Sequence, residues 1–266
     1  MEFPGRPMFR DHGGMEKDIV LLHGGPGAPG EMAPVARMLS SEWGVIEHLQ
    51  SSDTIDGQVE ELKGIVQSHM KAPCIIIGWS WGAWLGIIFS ARYPELAAKL
   101  ILIGCGPLDE VYTVKMLETR LERLDPGERR ELMVTLGSMS DPSSMEKDGL
   151  LKKLGDLVMV SDSFDIVPHD DEVLEYGFDI FDRVSREAGS MRRSGELLRL
   201  CELVECPISV IHGDHDPHPF EGVKEPLSRV KDKVRFHLLD RCGHYPWYER
   251  HAKDEFFMLL EREIRG

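Results

Sequence analysis

Several kinds of residue pattern are missing from this 266-residue chain, and each absence excludes a class of protein. No Cys-x-x-Cys pair occurs, and the five cysteines, at positions 74, 105, 201, 206 and 242, are scattered and odd in number. This favours reduced, mostly buried thiols over a disulfide framework or a zinc site. We therefore expect a cytoplasmic protein.

Positive charge is scarce. The chain holds 31 lysines and arginines against 46 aspartates and glutamates, which gives a net charge of −15. Nonspecific binding of nucleic acid needs a basic surface, and an anionic membrane would repel so acidic a chain. We expect neither partner, and the acidity is typical of a soluble protein.

Long apolar runs are also few. The first eighteen residues contain no apolar segment of the kind found in a secretory leader, so we expect none. Residues 74–91 are uncharged over nearly the length of a membrane span, but three glycines and a serine interrupt them. This stretch is better explained as a buried strand, a sharp turn and a buried helix.

Short apolar runs recur along the chain with helical patterns between them. The strand candidates are residues 18–24, 44–50, 74–80, 99–105, 206–213 and 234–243. Helices are predicted over 56–70, where five apolar residues share one face, and over 251–264. Buried strands that alternate with helices indicate an α/β fold, with a mostly parallel central sheet and helices on both faces.

One long segment departs from this alternation. Residues 107–195 contain no convincing buried strand, and the pattern is helical over 114–124 and 131–139, followed by loops. We predict an inserted helical cap over 107–195, with 1–106 and 196–266 forming the core domain. The second half of the insertion is acidic, since residues 156–182 carry nine Asp or Glu and no Lys or Arg.

The sequence GWSWG places Ser80 between a predicted strand and a predicted helix. This is the G-x-S-x-G pattern of a nucleophile held on a strained turn, where the residues two positions away must be very small. Gly78 and Gly82 meet that need. The hydroxyl of Ser80 would be exposed at the carboxyl end of the sheet, beside the N-terminus of the next helix.

A serine hydroxyl needs a base to activate it and a carboxylate to orient that base. In such an architecture the chain order is serine, then acid, then histidine. Asp214 and Asp216 both follow the strand candidate that ends at residue 213, and His244 follows the last one. All lie beyond the carboxyl ends of strands, where open α/β sheets place their sites.

The glycine-rich sequence HGGPG at residues 23–27 follows the first strong strand candidate. A turn of this kind exposes backbone N–H groups, which acyl transfer needs in order to stabilise an oxyanion. We expect the two donors to be the amides of Trp81 and Gly25. His23 is interpreted as a structural residue that fixes this loop.

Together the motifs HGGPG, GWSWG, HGDHDP and CGHYPW resemble the α/β-hydrolase superfamily, from about residue 17 to the C-terminus. The resemblance implies Ser80 as nucleophile, His244 as base and Asp216, rather than Asp214, as the orienting acid. It also implies that residues 107–195 shape the substrate pocket. Because the N-terminal hairpin of the full fold has little room here, we expect a reduced sheet of about six strands.

HGGPG with SWG is also similar to proline iminopeptidases, although the D-x-R-G-x-G-x-S stretch of those enzymes is replaced by EHLQSSDTIDGQ at 47–58. The leading hypothesis is therefore a carboxylesterase-like serine hydrolase for a small-molecule ester or amide, without a cofactor. The alternatives are an iminopeptidase-like aminopeptidase or amidase, and a ligand-binding protein with a vestigial triad. Oligomeric state cannot be read from these patterns.

Three further features have alternative interpretations. The histidines and aspartates of residues 212–218 resemble a metal site, but the alternation would place ligands on opposite faces, so no metal is predicted. Trp81 is the best candidate to line a substrate pocket because it follows the nucleophile. Asp171, Glu172 and Glu175 are candidates to bind a substrate ammonium group, or else form a solvated acidic face.

Overall fold

A computed structural model describes residues 8–14, 16–170 and 172–266. These residues form one seven-stranded sheet in the order β1-β3-β2-β4-β5-β6-β7. The strands are β1 (Phe9–Asp11), β2 (Ile19–Leu22), β3 (Val45–His48), β4 (Cys74–Trp79), β5 (Ala97–Ile103), β6 (Ile208–Gly213) and β7 (Val234–Leu239). Only β1 runs antiparallel to its neighbour.

Ten α-helices are present in the described part of the chain. They are α1 (Ala33–Leu39), α2 (Ile55–His69), α3 (Trp81–Arg92), α4 (Met116–Arg123), α5 (Pro126–Ser140), α6 (Lys147–Asp162), α7 (Phe178–Arg193), α8 (Glu196–Leu203), α9 (Glu221–Val230) and α10 (Lys253–Arg265). The predicted α/β class is confirmed. The sheet has one strand more than the six expected, because the short N-terminal stretch still contributes β1.

The core lies on both faces of the sheet because side chains alternate along each strand. On β2, Val20 and Leu22 pack into a cluster with α2, α3 and α8, whereas Ile19 and Leu21 pack into a second cluster with α1 and α10. All four side chains are fully buried. Continuous apolar strands are therefore required here, since helices cover both faces.

The uncharged run of residues 74–91 is divided between β4 and α3, which meet at Ser80. Both elements are almost entirely buried within the protein. Among the helices in the described ranges, none has the length and apolarity needed to cross a membrane.

Four helices, α4 to α7, lie within residues 107–195, which we call the insert. Its first helices were predicted, but α6 and α7 replace what was expected to be loops. Leu151, Leu154 and Leu157 recur at helical spacing in α6 and pack in two small apolar clusters separate from the main core.

Candidate active site

Ser80 occupies the turn between β4 and α3. Its backbone has φ 54° and ψ −115°, an uncommon conformation for a residue with a side chain. The amide of Ser80 donates to the carbonyl of Ile103 on β5 at 3.0 Å, which anchors the turn to the neighbouring strand. A strained residue held in this way by its surroundings is typical of a functional site.

The two glycines that flank Ser80 are required by close backbone contacts. A Cβ atom on Gly78 would lie 2.2 Å from the carbonyl oxygen of Gly82, and one on Gly82 would lie 2.2 Å from that of Leu22. Both contacts are with backbone, which cannot move aside cheaply. The small residues that the G-x-S-x-G pattern demands therefore have a direct steric reason.

Asp216 and His244 form a buried pair beyond the carboxyl ends of β6 and β7. The Nδ1 atom of His244 lies 2.6 Å from Oδ2 of Asp216. Asp214, the other candidate acid, is exposed and accepts a hydrogen bond from the Cys242 amide at 3.1 Å. The structure thus brings His244 together with Asp216 and not with Asp214.

Burial by itself raises the pKa of Asp216, but the imidazoles of His244, His218 and His212 outweigh it and hold this pKa well below its usual range. The carboxylate is therefore an acceptor at neutral pH. The Nδ1 atom of His244 that faces this carboxylate is therefore the hydrogen-bond donor, and in the neutral ring Nε2 is then the nitrogen that can accept a proton.

Gly104, just after β5, is a site residue that sequence reasoning missed. A Cβ atom there would lie 3.0 Å from Nδ1 of His244 and 3.3 Å from Oδ2 of Asp216. Its small size lets the acid–base pair lie against the end of the sheet. The sequence shows only a glycine after a strand, which by itself is uninformative.

A second imidazole contacts the same carboxylate. Oδ1 of Asp216 accepts hydrogen bonds from the backbone amide of His218 at 2.9 Å and from its Nδ1 at 2.7 Å. The rings of His218 and His244 lie with their centroids 4.6 Å apart. Sequence reasoning considered His218 only as a possible metal ligand.

Asp216, His218 and His244 each offer one ligand atom, and these atoms lie within 4.8 Å of one another. A metal at this position would have to replace the hydrogen bonds of 2.6 and 2.7 Å that already join the two imidazoles to the carboxylate. The geometry therefore fits an acid with two orienting contacts better than it fits a metal centre.

The loop after β2 carries the predicted oxyanion donor Gly25 and packs directly on the Ser80 turn. A Cβ atom on Gly24 would lie 3.0 Å from Cβ of Ser80. Trp81 is the first residue of α3, so its amide has no acceptor within the helix. Gly25 and Trp81 both line the cavity that contains Ser80 and His244.

His23 lies fully buried below this loop. Burial lowers its pKa to about 3, so the ring is neutral at ordinary pH. Its Nδ1 donates a hydrogen bond to the carbonyl of Gly24 at 2.6 Å. Its own backbone carbonyl accepts a hydrogen bond from the side-chain Nε2 of Gln50 at 3.1 Å. These contacts fix the loop, as the structural interpretation of His23 predicted.

Trp81 lines the cavity with a ring whose orientation is set by hydrogen bonds. Its Nε1 donates to Oε1 of Gln50 at 2.9 Å and to Oε1 of Gln58 at 3.0 Å. Trp79 packs on the other side, with Nε1 donating to the carbonyl of His244 at 2.9 Å. One tryptophan thus shapes the cavity wall and the other supports the histidine loop.

Two cavities meet at Ser80. The large cavity, of about 530 Å³, contains Ser80, His244 and Gly25 and extends beneath the insert. Its wall is mainly apolar and includes Leu117, Leu132, Leu136, Leu151, Leu154 and Val158. The small cavity, of about 200 Å³, is lined by Ser80, Trp81 and His218 and by the small residues Gly106, Ala188 and Gly189.

Glu249 joins the insert to the loop of His244. Its fully buried carboxylate accepts three hydrogen bonds of 2.8 Å, donated by the backbone N–H groups of Phe164, Asp165 and Gly243. The amide of His244 itself donates to the carbonyl of Asp162, at the end of α6. Sequence reasoning missed Glu249, because a lone glutamate near the C-terminus carries no signal of these contacts.

A buried ion pair lies within the insert. Arg120 on α4 binds the buried carboxylate of Asp162 through Nε at 2.8 Å and through its terminal nitrogen Nη2 at 2.6 Å. Arg120 also lines the large cavity. The adjacent Arg123 donates to the carbonyl of His215 at 2.7 Å, which ties α4 to the loop that carries Asp216.

The three residues predicted to bind a substrate ammonium group differ in their position relative to the large cavity. Asp171 lies outside the described residues. Glu172 lines the large cavity and forms an ion pair with Arg37 on α1 at 2.5 Å. Glu175 is partly buried and does not contribute to the wall of the large cavity. Of the three, Glu172 alone is shown to face the cavity, and its charge is already compensated.

Comparison with known proteins gives a family match over most of the chain. The model of the "Alpha/beta hydrolase family" matches residues 19–257. Strigolactone esterase D14 of Arabidopsis thaliana is 42% identical over 74 residues, which are 27% of this chain and 28% of that protein. The 2-hydroxy-6-oxononadienedioate/2-hydroxy-6-oxononatrienedioate hydrolase of Paraburkholderia phymatum is 24% identical over 282 aligned positions, covering 96% of this chain and 90% of that one.

Solved structures share the fold over nearly the whole chain. An epoxide hydrolase of Bacillus megaterium superposes with a TM-score of 0.66 at 19% identity, covering 97% of this chain and 96% of that one. An enol-lactonase of Burkholderia xenovorans gives a TM-score of 0.62 at 18% identity, covering 97% and 96%. At these identities the likeness establishes the fold alone.

Proposed function

Because the chain belongs to the alpha/beta hydrolase family, we propose that it is a serine hydrolase that cleaves a small-molecule ester or amide through an acyl-enzyme. The observation that carries the proposal is the buried Asp216–His244 hydrogen bond of 2.6 Å in the cavity that Ser80 lines. An oriented imidazole beside a hydroxyl on a strained turn is the arrangement that activates a serine.

In the proposed mechanism the Oγ atom of Ser80 attacks the substrate carbonyl carbon while Nε2 of His244 takes the hydroxyl proton. Asp216 holds the resulting imidazolium in place. The amides of Trp81 and Gly25 stabilise the oxyanion of the tetrahedral intermediate. The intermediate collapses as His244 gives its proton to the leaving group, and Ser80 retains the acyl group as an ester.

The second half of the reaction uses water. His244 takes a proton from the water molecule while its oxygen attacks the acyl carbon. The bond to Oγ of Ser80 then breaks, His244 returns the proton to that oxygen, and the carboxylic acid leaves. Each proton taken by His244 is given back, so no cofactor or metal is needed in the proposed cycle.

We propose a carboxylesterase-like preference, supported by the apolar wall of the large cavity. The leucines contributed by α4, α5 and α6 offer burial to an apolar group of the substrate. The name of the similar strigolactone esterase agrees with ester cleavage, and that of the similar dienedioate hydrolase agrees with hydrolysis of a small molecule. We also propose that the insert acts as the cap, with 1–106 and 196–266 as the core domain, because residues of four of its helices line this cavity.

An aminopeptidase or amidase is the second candidate, favoured by the acidic residues Glu31, Asp170 and Glu172 in the wall of the large cavity, where this candidate would place the aminoacyl group. Turnover of aminoacyl amides would be compared with that of their N-acetylated forms. A strong preference for the free amine supports this candidate. Equal rates exclude a role for these carboxylates in amine recognition.

The test of the proposed function is intact-mass analysis after treatment with a fluorophosphonate probe, which modifies activated serines. Wild type is expected to gain one adduct, and Ser80→Ala none. Ser140→Ala, at an exposed serine of α5, is the matched control and should label as wild type does. Folded wild type that gains no adduct would contradict the proposal and favour a ligand-binding protein with a vestigial triad.

The proposed mechanism predicts that a chelator has no effect on turnover, because both imidazoles already bind the Asp216 carboxylate. Activity before and after dialysis against EDTA would be compared, followed by readdition of Zn²⁺. Loss of activity on dialysis with recovery on readdition of Zn²⁺ would contradict this prediction.

We further propose a cytoplasmic location, which is supported by the five cysteines being free thiols.

A further inference from the structure

His218 is a largely buried imidazole at the active site, with 12% of its side chain exposed, and the proposed mechanism does not use it. Its Nδ1 donates to Oδ1 of Asp216 at 2.7 Å, on the opposite carboxylate oxygen from His244. Because that carboxylate accepts at both oxygens, the Nε2 atom of each ring is a lone pair. None of the described residues forms a hydrogen bond with Nε2 of His218. This atom lies on the side of the ring away from Asp216, and His218 lines the small cavity.

The position of His218 is fixed from several sides. Its backbone amide donates to Asp216, and its carbonyl accepts from Nε2 of His212 at 2.7 Å. Burial lowers the pKa of His218 and outweighs the neighbouring carboxylate, so the ring is neutral at neutral pH. A neutral, preorganised acceptor of this kind binds a donor with little loss of side-chain freedom.

The residues that line each cavity indicate which cavity holds the leaving group and which holds the acyl group. His244 must stand beside the leaving group in order to protonate it, and His244 lines the large cavity but not the small one. The leaving group therefore occupies the large cavity and the acyl group the small one. In the described part of the small-cavity wall, His218 is the sole imidazole, and because it also lines the large cavity it lies where the two cavities meet, beside Ser80.

The small cavity limits the acyl group. Its volume of about 200 Å³ is less than half that of the large cavity, about 530 Å³, so the shorter part of the substrate fits there. Arg192, the charged side chain in the described wall of this cavity, already pairs with Glu110 at 2.7 Å and lies over the Trp84 ring. Besides Ser80, the polar side chains that an acyl chain would meet there therefore include His218 and Ser185, and of these two only His218 is held in place by the active-site carboxylate.

We propose that this site takes esters of short acyl groups that carry a hydroxyl or amino hydrogen-bond donor, and that Nε2 of His218 accepts the hydrogen bond from that donor. The inference rests on the proposed serine-hydrolase function. It makes His218 a specificity residue for the acyl group, in addition to its contact with the orienting acid.

Two variants separate the functions of the two ring nitrogens. His218→Asn keeps an N–H group near the position of Nδ1, able to donate to Asp216, but removes Nε2. His218→Gln extends to the position of Nε2 but loses the Nδ1 contact. Fluorophosphonate labelling of Ser80 and far-ultraviolet circular dichroism report whether each variant keeps its triad and its fold.

The measurement is kcat/KM for the 2-naphthyl esters of propionate, lactate and alanine. Wild type is expected to prefer the lactate or the alanine ester over propionate by about tenfold, the size of one well-formed hydrogen bond. His218→Asn should lose that preference, so that its kcat/KM values for the lactate and alanine esters fall to within about twofold of its own value for propionate. The lactate and alanine arms distinguish a hydroxyl donor from an amino donor.

Two results would overturn the proposal. One is a wild type without preference for either donor-bearing ester. The other is an equal loss on all three esters in His218→Asn, since the ring would then only position Asp216. Both leave serine labelling intact, whereas failure of the proposed function abolishes labelling in wild type and removes this inference with it.

Discussion

At the scale of single residues, Asp216 is the group whose ionisation matters most. Its folded pKa lies well below the ordinary value of 3.8, despite burial, because three imidazoles surround it. A carboxyl whose pKa is depressed by folding contributes stability at every pH above its unfolded pKa. That contribution is lost as the pH falls through the folded pKa.

We therefore expect the free energy of unfolding to fall as the pH drops below about 4. Asp216→Asn, which cannot ionise, should show a shallower dependence over the same range. Urea unfolding at pH 3 to 6 measures both. Parallel curves for variant and wild type would mean that Asp216 is not linked to stability.

The same variant tests the chemistry. Asparagine at position 216 can present its N–H group to His244 and select the wrong tautomer, so kcat is expected to fall about 10³- to 10⁴-fold, as in other serine triads. Asp214→Asn is the matched control, since Asp214 contacts Cys242 rather than His244. Comparable losses in both variants would contradict the assignment of the acid.

Gly78 provides a stability prediction at the turn. Gly78→Ala would place Cβ 2.2 Å from a backbone oxygen, so we expect destabilisation of about 1–3 kcal/mol and loss of Ser80 labelling. Gly137→Ala on α5 meets no atom within 4 Å and should instead stabilise by about 0.5–1 kcal/mol. Urea denaturation compares the two, and a neutral Gly78→Ala would contradict the steric argument.

At the scale of elements, the histidine loop depends on the insert. Glu249 holds Gly243 on one side and Phe164 and Asp165 on the other, each at 2.8 Å. The loop that carries the base and the segment after α6 therefore move as one unit. Displacement of α6 would displace His244.

Glu249→Gln tests this coupling, because one of the two acceptors becomes an amide donor facing a backbone N–H. We expect a loss of about 1–3 kcal/mol in stability and a lower kcat. Glu255→Gln, at an exposed position of α10, is the control and should match wild type. An unchanged kcat in Glu249→Gln would show that the loop holds its position without the insert.

At the scale of the whole molecule, the large cavity is built jointly by core and insert. Leu136 of α5 lines it, together with Ser80 and His244 from the core. Specificity for the leaving group is therefore expected to depend on residues more than fifty positions away from the nucleophile.

Leu136→Trp should reduce the large cavity and lower kcat/KM for 2-naphthyl acetate by about tenfold, with little effect on ethyl acetate. The two esters share an acyl group and differ only in the leaving group. An equal effect on both would place the leaving group elsewhere.

The sequence by itself determined the features that depend on local rules. Continuous apolar runs predicted the buried parallel strands, because helices cover both faces of such a sheet. The spacing of Gly78, Ser80 and Gly82 predicted the sharp turn, because only small residues avoid the backbone contacts there. In α6 and α7 the same local reasoning predicted loops and was wrong, although Leu151, Leu154 and Leu157 recur at helical spacing in α6.

Only the tertiary structure decided which side chains meet. Asp216 and His244 lie 28 positions apart, and Phe164 and Glu249 lie 85 apart. Contacts of that range follow from strand register and from how the insert packs on the core, neither of which a local pattern encodes. For this reason the sequence could propose Asp216 and His244 as acid and base, whereas the placement of His218, Gly104 and Glu249 emerged from the fold.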